Sequence, residues 1–133
     1  MISFEEYFLE NALMGININD KIQDFTGQIL RGEKTIETRN TNSLKPYIGK
    51  KVGIVRTGKG KAYLVGYCTI GEPVVYKSKK QFRMDYDKHL VDKGSKFDIP
   101  KGGIKFGYPL HNVKATKDPK LITTRGIIAR RLE

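Results

Sequence analysis

The sequence predicts an α+β fold, a mixed β-barrel with two to three flanking helices. Three observations point there. Short stretches of alternating apolar residues with β-branched and aromatic character outnumber the helical ones. Glycine- and proline-bearing turn signals separate them at close intervals. Helical patterns interrupt the strands at only two or three places and do not alternate with them as βαβ units would. At 133 residues the chain reads as one domain, 1–133, long enough for a core without disulfides or a metal.

In chain order, Ser3 to Met14 predicts an appended amino-terminal helix, with Ser3 as N-cap and Glu5 and Glu6 in its first turn. Gly15 ends it, and Ile16 and Ile18 alternate with Asn17 and Asn19 as a short strand. Ile22, Phe25 and Ile29, three and four residues apart, predict a helix capped by Asn19 or Asp20 and running to about Arg31. Gly32 stands just past its end, where a left-handed residue costs least. Thr35, Ile36 and Thr38 favour a strand that ends near Asn40. A polar loop with Pro46 follows, to Ile48. Lys51 to Thr57 and Ala62 to Ile70 form a hairpin around Gly58-Lys59-Gly60. On its second strand Tyr63, Val65 and Tyr67 are expected on one face, a candidate cleft wall, with Leu64, Gly66, Cys68 and Ile70 on the other.

Val74 to Tyr76 is a short strand. Ser78 and Gln81 have the spacing of a capping box, opening a helix from Lys79 to about Val91 with Phe82, Tyr86, His89 and Leu90 inward. Asp92 to Pro100 is expected to be a mobile loop. Ile104 to His111 reads as a strand, Lys114 to Lys120 as a loop because of Pro119, and Leu121 to Leu132 as the closing strand.

Charge is the strongest compositional signal. Twenty-five Lys and Arg stand against fourteen Asp and Glu, a formal net charge of +11. No acid occurs between Arg39 and Gly71, while Arg39, Lys45, Lys50, Lys51, Arg56, Lys59 and Lys61 all lie there. One positive face is expected, suited to a polyanion. The apolar runs are too short to span a bilayer, so no membrane partner is expected. One cysteine, Cys68, excludes an internal disulfide framework, and the cytoplasm is the default location. Asp85, Asp87 and His89 cluster, but only Asp85 and His89 share a helix face, so no metal and no other cofactor is predicted. Cys68 reads as a small buried hydrophobe.

The stretch Gly32-Glu33-Lys34-Thr35-Ile36-Glu37-Thr38-Arg39 places Gly, Lys, Glu and Arg at fixed spacing after a short helix. This pattern resembles the ASCH family of the PUA-like group. The Gly49 to Val52 strand start, the glycine at Gly66 and the hydrophobic tail at Ile127 to Leu132 agree with it. The likeness covers roughly residues 16 to 132. It implies a PUA-like mixed barrel that binds RNA or acts on nucleosides. Some ASCH proteins resemble amidohydrolases acting on acetylated cytidine through a Lys, a Thr and a distant Glu. Lys34 matches the lysine, but Glu37 stands where the threonine would, and Glu72 is the acid available as the distant Glu. Others resemble metal-independent ribonucleases using Lys and Tyr, here Lys34 with Tyr63 or Tyr67.

Chemistry of the residues points the same way. A lysine at a helix-to-strand turn among basic neighbours is a candidate proton donor, with Glu37 to orient it or take a proton. Arg39 is suited to a forked phosphate contact. The simpler alternative pairs Glu37 with Arg39 and leaves Lys34 solvated. Gly32, Lys34, Arg39, Lys45, Tyr47, Lys50 and Lys51 form the candidate RNA-binding set, Tyr47 offering a ring to stack beside two lysines. The catalytic candidates are Lys34, Glu37, Tyr63 and Tyr67. The expected partner is RNA, single-stranded or a nucleotide. An acidic protein docked on the same basic face is the third reading.

Overall fold

The computed structural model describes residues 12–133. The helix expected from Ser3 lies outside them except for its last three positions, and there Met14 begins a strand. The described residues form strands β1 (Met14–Asn19), β2 (Ile36–Arg39), β3 (Lys51–Thr57), β4 (Ala62–Ile70), β5 (Val74–Tyr76), β6 (Lys105–Ile122) and β7 (Ala129–Arg131). Three short helices accompany them: α1 (Phe25–Leu30), α2 (Lys79–Met84) and α3 (Tyr86–His89). The sheet order is β2-β6-β4-β3-β1-β7, with β5 also on β6. Only β1 and β3 run parallel; the other named pairs are antiparallel. The sheet curls into a half-barrel, the mixed α+β architecture the sequence predicts.

Curling brings the end of the sheet that carries β1 and β7 toward β2 at the other end. The seam is clipped by side chains. An Arg39 Nη donates to the Asn17 carbonyl at 2.7 Å. The Asn17 amide donates to the carbonyls of Gly126 and Ile127, and its oxygen accepts from Arg130 Nε.

The main core fills the hollow: Ile16, Ile18, Ile29, Ile54, Ile70 and Phe82 are all fully buried. Val55, Leu64, Ile122 and Leu132 form a second cluster. A bulge in β4 serves both clusters. Leu64 pairs with Val55 and Gly66 with Ile54, so Val65 is extra. The expected alternation therefore fails: Val65 enters the main core and Leu64 the second cluster, with Tyr63 against the first and Tyr67 against the second.

Other expectations are corrected by local chemistry. The first helix starts at Phe25, capped by Asp24, whose side chain accepts from the Gly27 N–H. Asp20 is instead fully buried and accepts from the Thr26 N–H and hydroxyl. Ile22 is consequently outside the helix and 48% exposed. The second helix divides at Asp85 into α2 and α3 and ends at Leu90, which is left-handed with φ of 56°. Phe82 and His89 point inward as expected, but Tyr86 is exposed and bonded to Asp92. The segment read as a mobile loop is tied down by Asp98, which accepts from Gly94, Ile99 and Arg83. Residues 114–120 are not a loop. They belong to β6, whose residues 116–119 bulge between the Ala115–Gly66 and Lys120–Leu64 pairs. Pro119 sits in that bulge, where a missing N–H is tolerated. The closing strand is only β7, and Ile127 is exposed.

Candidate functional site

Helix α1 ends in a turn that fixes Lys34 at both ends. The Gln28 carbonyl accepts from the N–H groups of Glu33 and Lys34, and Gly32 supplies a φ of 78°. The Lys34 side chain runs inward to 1% exposure, and its ammonium donates to the His89 carbonyl at the end of α3. It lies 3.8 Å from Glu37 Oε1 and 4.8 Å from the centre of the Phe25 ring. Lys34 is thus not solvated, contrary to the simpler alternative. Burial pushes its pKa down to about 8 from 10.5, Glu37 opposing and Lys105 and Arg39 assisting. The basic neighbours that the sequence offers as the cause are secondary to burial.

Glu37 and Arg39 alternate correctly onto one face of β2. Arg39 Nη and Nε lie 2.9 and 3.1 Å from Glu37 Oε2. The three charged groups of the motif therefore converge, with the carboxylate between two cations.

They converge on a cavity of about 310 Å³ at the seam. Its walls come from β1 (Asn17, Ile18, Asn19), from β2 with the loop after it (Thr38, Asn40, Thr41, Ser43), and from Phe25, Val91, Phe97 and Ile128. Lys105, the first residue of β6, completes it at 2% exposure. Burial lowers the Lys105 pKa, with Glu37 and Asp98 opposing.

The α3 end is a rigid support. The Val91 N–H donates to His89 Nδ1, so the neutral ring donates from Nε2 to the Phe82 carbonyl at 2.7 Å. His89 stacks on Phe82 at 4.0 Å, and burial lowers its pKa. Both ring nitrogens are occupied within the protein. Among the described residues no three His, Cys, Asp or Glu side chains come together. Cys68 is buried and its thiol pKa is pushed up to about 12.

The remaining candidates lie elsewhere. Gly32, Lys45 and Lys50 are exposed, and with Lys51 they are not cavity-lining. Tyr47 packs against the main core. Tyr63, under the Arg56 guanidinium, and Tyr67 do not line the cavity either, and Glu72 is exposed away from it. The hairpin expected as one wall is replaced by β1. Sequence reasoning missed Lys105, Phe97 and Asn17. A lysine opening a strand carries no signal of burial, and Phe97 sits among turn residues.

No family model matches the sequence, and no curated protein does. Solved structures do. ASCH from Zymomonas mobilis superposes with a TM-score of 0.62 at 16% identity, covering 77% of this chain and 68% of that one. A serine-to-alanine mutant of ASCH from the same organism superposes with a TM-score of 0.69 at 14% identity, covering 90% and 87%. The fold is therefore that of the ASCH structures, an α+β half-barrel. No helix among the described residues is long and apolar enough to cross a membrane.

Proposed function

We propose that the chain binds RNA by admitting one unstacked nucleotide into the seam cavity. The supporting observation is the lining: three cations and one carboxylate set among Phe25, Phe97, Val91 and Ile18. Apolar walls with a few convergent polar groups are what a small-ligand site needs, and about 300 Å³ is the low end of such sites. Aromatic walls with Lys and Arg suit a splayed base and its backbone. The acid-free segment from Arg39 to Gly71 adds exposed cations outside the cavity, Lys45, Lys50, Lys59 and Lys61, for further phosphates. Asn40, Thr41 and Ser43 on the rim offer hydrogen-bonding groups for a base edge or ribose.

Fluorescence anisotropy with short labelled RNA tests this. Single strands are expected to bind better than duplex, and added salt to weaken binding. Phe97→Ala should weaken single-strand binding about fivefold or more, since one base–aromatic contact is worth about 1–3 kcal/mol. Equal affinity for duplex, with no change in the Phe97→Ala protein, would remove the reading.

One observation favours a second reading. A buried amine with a pKa of about 8, 3.8 Å from a carboxylate, is suited to proton transfer near neutral pH. A hydrolase acting on RNA or a modified nucleoside would use Lys34 and Glu37 in this way. Neither Tyr63 nor Tyr67 stands beside them to support the tyrosine-assisted form. Product formed from RNA or acetylated cytidine by the wild type and not by Lys34→Met would establish it.

A further inference from the structure

The ionisable side chains of the cavity do not balance. Lys34, Arg39 and Lys105 face a single carboxylate, Glu37, an excess of two positive charges when all are ionised. Two of the three cations have protein acceptors. Lys34 is held by the His89 carbonyl, and Arg39 by Glu37 and the Asn17 carbonyl. Lys105 is different. It is 2% exposed, and among the described residues its side chain makes no hydrogen bond and no ion pair. Glu37 and Asp98 act on it only at longer range, with Arg39 opposing them. Asp98 is engaged by Arg83 at 3.0 Å and by the N–H groups of Gly94 and Ile99. Glu37 is shared between Lys34 and Arg39.

The Lys105 ammonium therefore opens on the cavity without a protein acceptor, and a cation so enclosed is costly until something there supplies one. The cavity provides the space in which a ligand can supply the acceptor. A neutral nucleoside would cover the excess charge and leave it uncompensated. An internal phosphodiester carries one negative charge, and its chain must continue on both sides through a small cavity. A phosphomonoester carries about −1.5 to −2 near pH 7 and three acceptor oxygens. That charge matches the excess, and a chain end needs only one exit.

We propose that Lys105 receives the terminal phosphate of a nucleotide, so that the cavity selects a phosphomonoester over both a nucleoside and an internal phosphodiester. This rests on the nucleotide-binding reading above and narrows it to a phosphorylated end. A free mononucleotide and the phosphorylated end of an RNA present the same group.

The test is calorimetric titration of the full chain with the four ribonucleosides, their 5′- and 3′-monophosphates, and a short single-stranded RNA with and without a terminal phosphate. At least one monophosphate is expected to bind ten times tighter than its nucleoside or better. The ratio should fall toward one in a Lys105→Met protein. That variant replaces a buried charge by an uncharged side chain of similar shape and should melt no lower than the wild type. The comparison of ligands on the wild type stands without it. Equal affinity for nucleosides and monophosphates, or a preserved ratio in Lys105→Met, overturns the proposal. Binding of single-stranded RNA with no gain from the terminal phosphate also overturns it, while leaving RNA binding intact. Tight mononucleotide binding without binding of the phosphorylated RNA supports the phosphate assignment and overturns RNA as its source. If no nucleoside, nucleotide or RNA binds, both readings fall together.

Discussion

Lys34 changes the pH dependence of folding, and the sign follows from where its proton goes. In the unfolded chain its amine keeps the proton up to about its ordinary value of 10.5, whereas in the folded chain it releases it near 8. Between those values the unfolded state binds more protons, so stability contributed by this group rises with pH. Below about 8 both states are protonated, and the cost of burying the ammonium is fully present. Urea unfolding at about pH 7.5 and about pH 9.5 should show wild-type stability gaining relative to Lys34→Met as pH rises. Parallel behaviour of the two proteins would mean that Lys34 is not held in this environment. Glu37 and Arg39 were legible as same-face partners because the strand period is exact. Lys34 was legible as a site candidate by spacing, but not its burial, which depends on a carbonyl 55 residues away at His89. Lys105 was not legible at all. Nothing local distinguishes a strand-opening lysine in solvent from one turned into a cavity.

Among the elements, those with local signals were readable. The hairpin of β3 and β4, the strand β5 and the Ser78 cap of α2 depend on alternation, turn residues and capping chemistry that short windows contain. The bulges were not readable, because they are set by what lies across the sheet. Val65 is extra only relative to β3, and residues 116–119 bulge only relative to β4. The α1-to-β2 turn joins both kinds of information. Gly32 was marked by the sequence, and its φ of 78° is the left-handed conformation that residue tolerates best. An added Cβ would meet no atom within 4 Å, so Gly32→Ala is expected to cost about 1 kcal/mol through the backbone alone. Chemical denaturation checks that figure. A loss several times larger would mean that the turn also transmits strain to Lys34.

At the scale of the whole molecule the charge asymmetry was readable, but the location of the cavity was not, since it exists only where the curled sheet brings β1 beside β2. Asn17 shows how that seam is kept. Its backbone N–H donates to the Ile128 carbonyl, and its carbonyl accepts from Arg39. Its side chain bonds Gly126, Ile127 and Arg130. One residue thus joins β1 to β2, to the segment before β7 and to β7 itself. Asn17→Ala removes only the side-chain bonds and leaves the Arg39 contact, because that contact uses the main chain. Partly exposed hydrogen bonds are worth little each, so a loss on the order of 1–2 kcal/mol is expected. The larger effect should be local. Amide exchange should quicken across residues 124–131, while β3 and β4 stay protected, because the cavity wall at Ile128 loses its fastening and the central sheet does not. A bound nucleotide should reverse much of that change, since it would bridge β1 and β2 from inside. Uniform acceleration over the whole chain would mean instead that the seam and the core open as one unit, and that the cavity has no independent motion for a ligand to suppress.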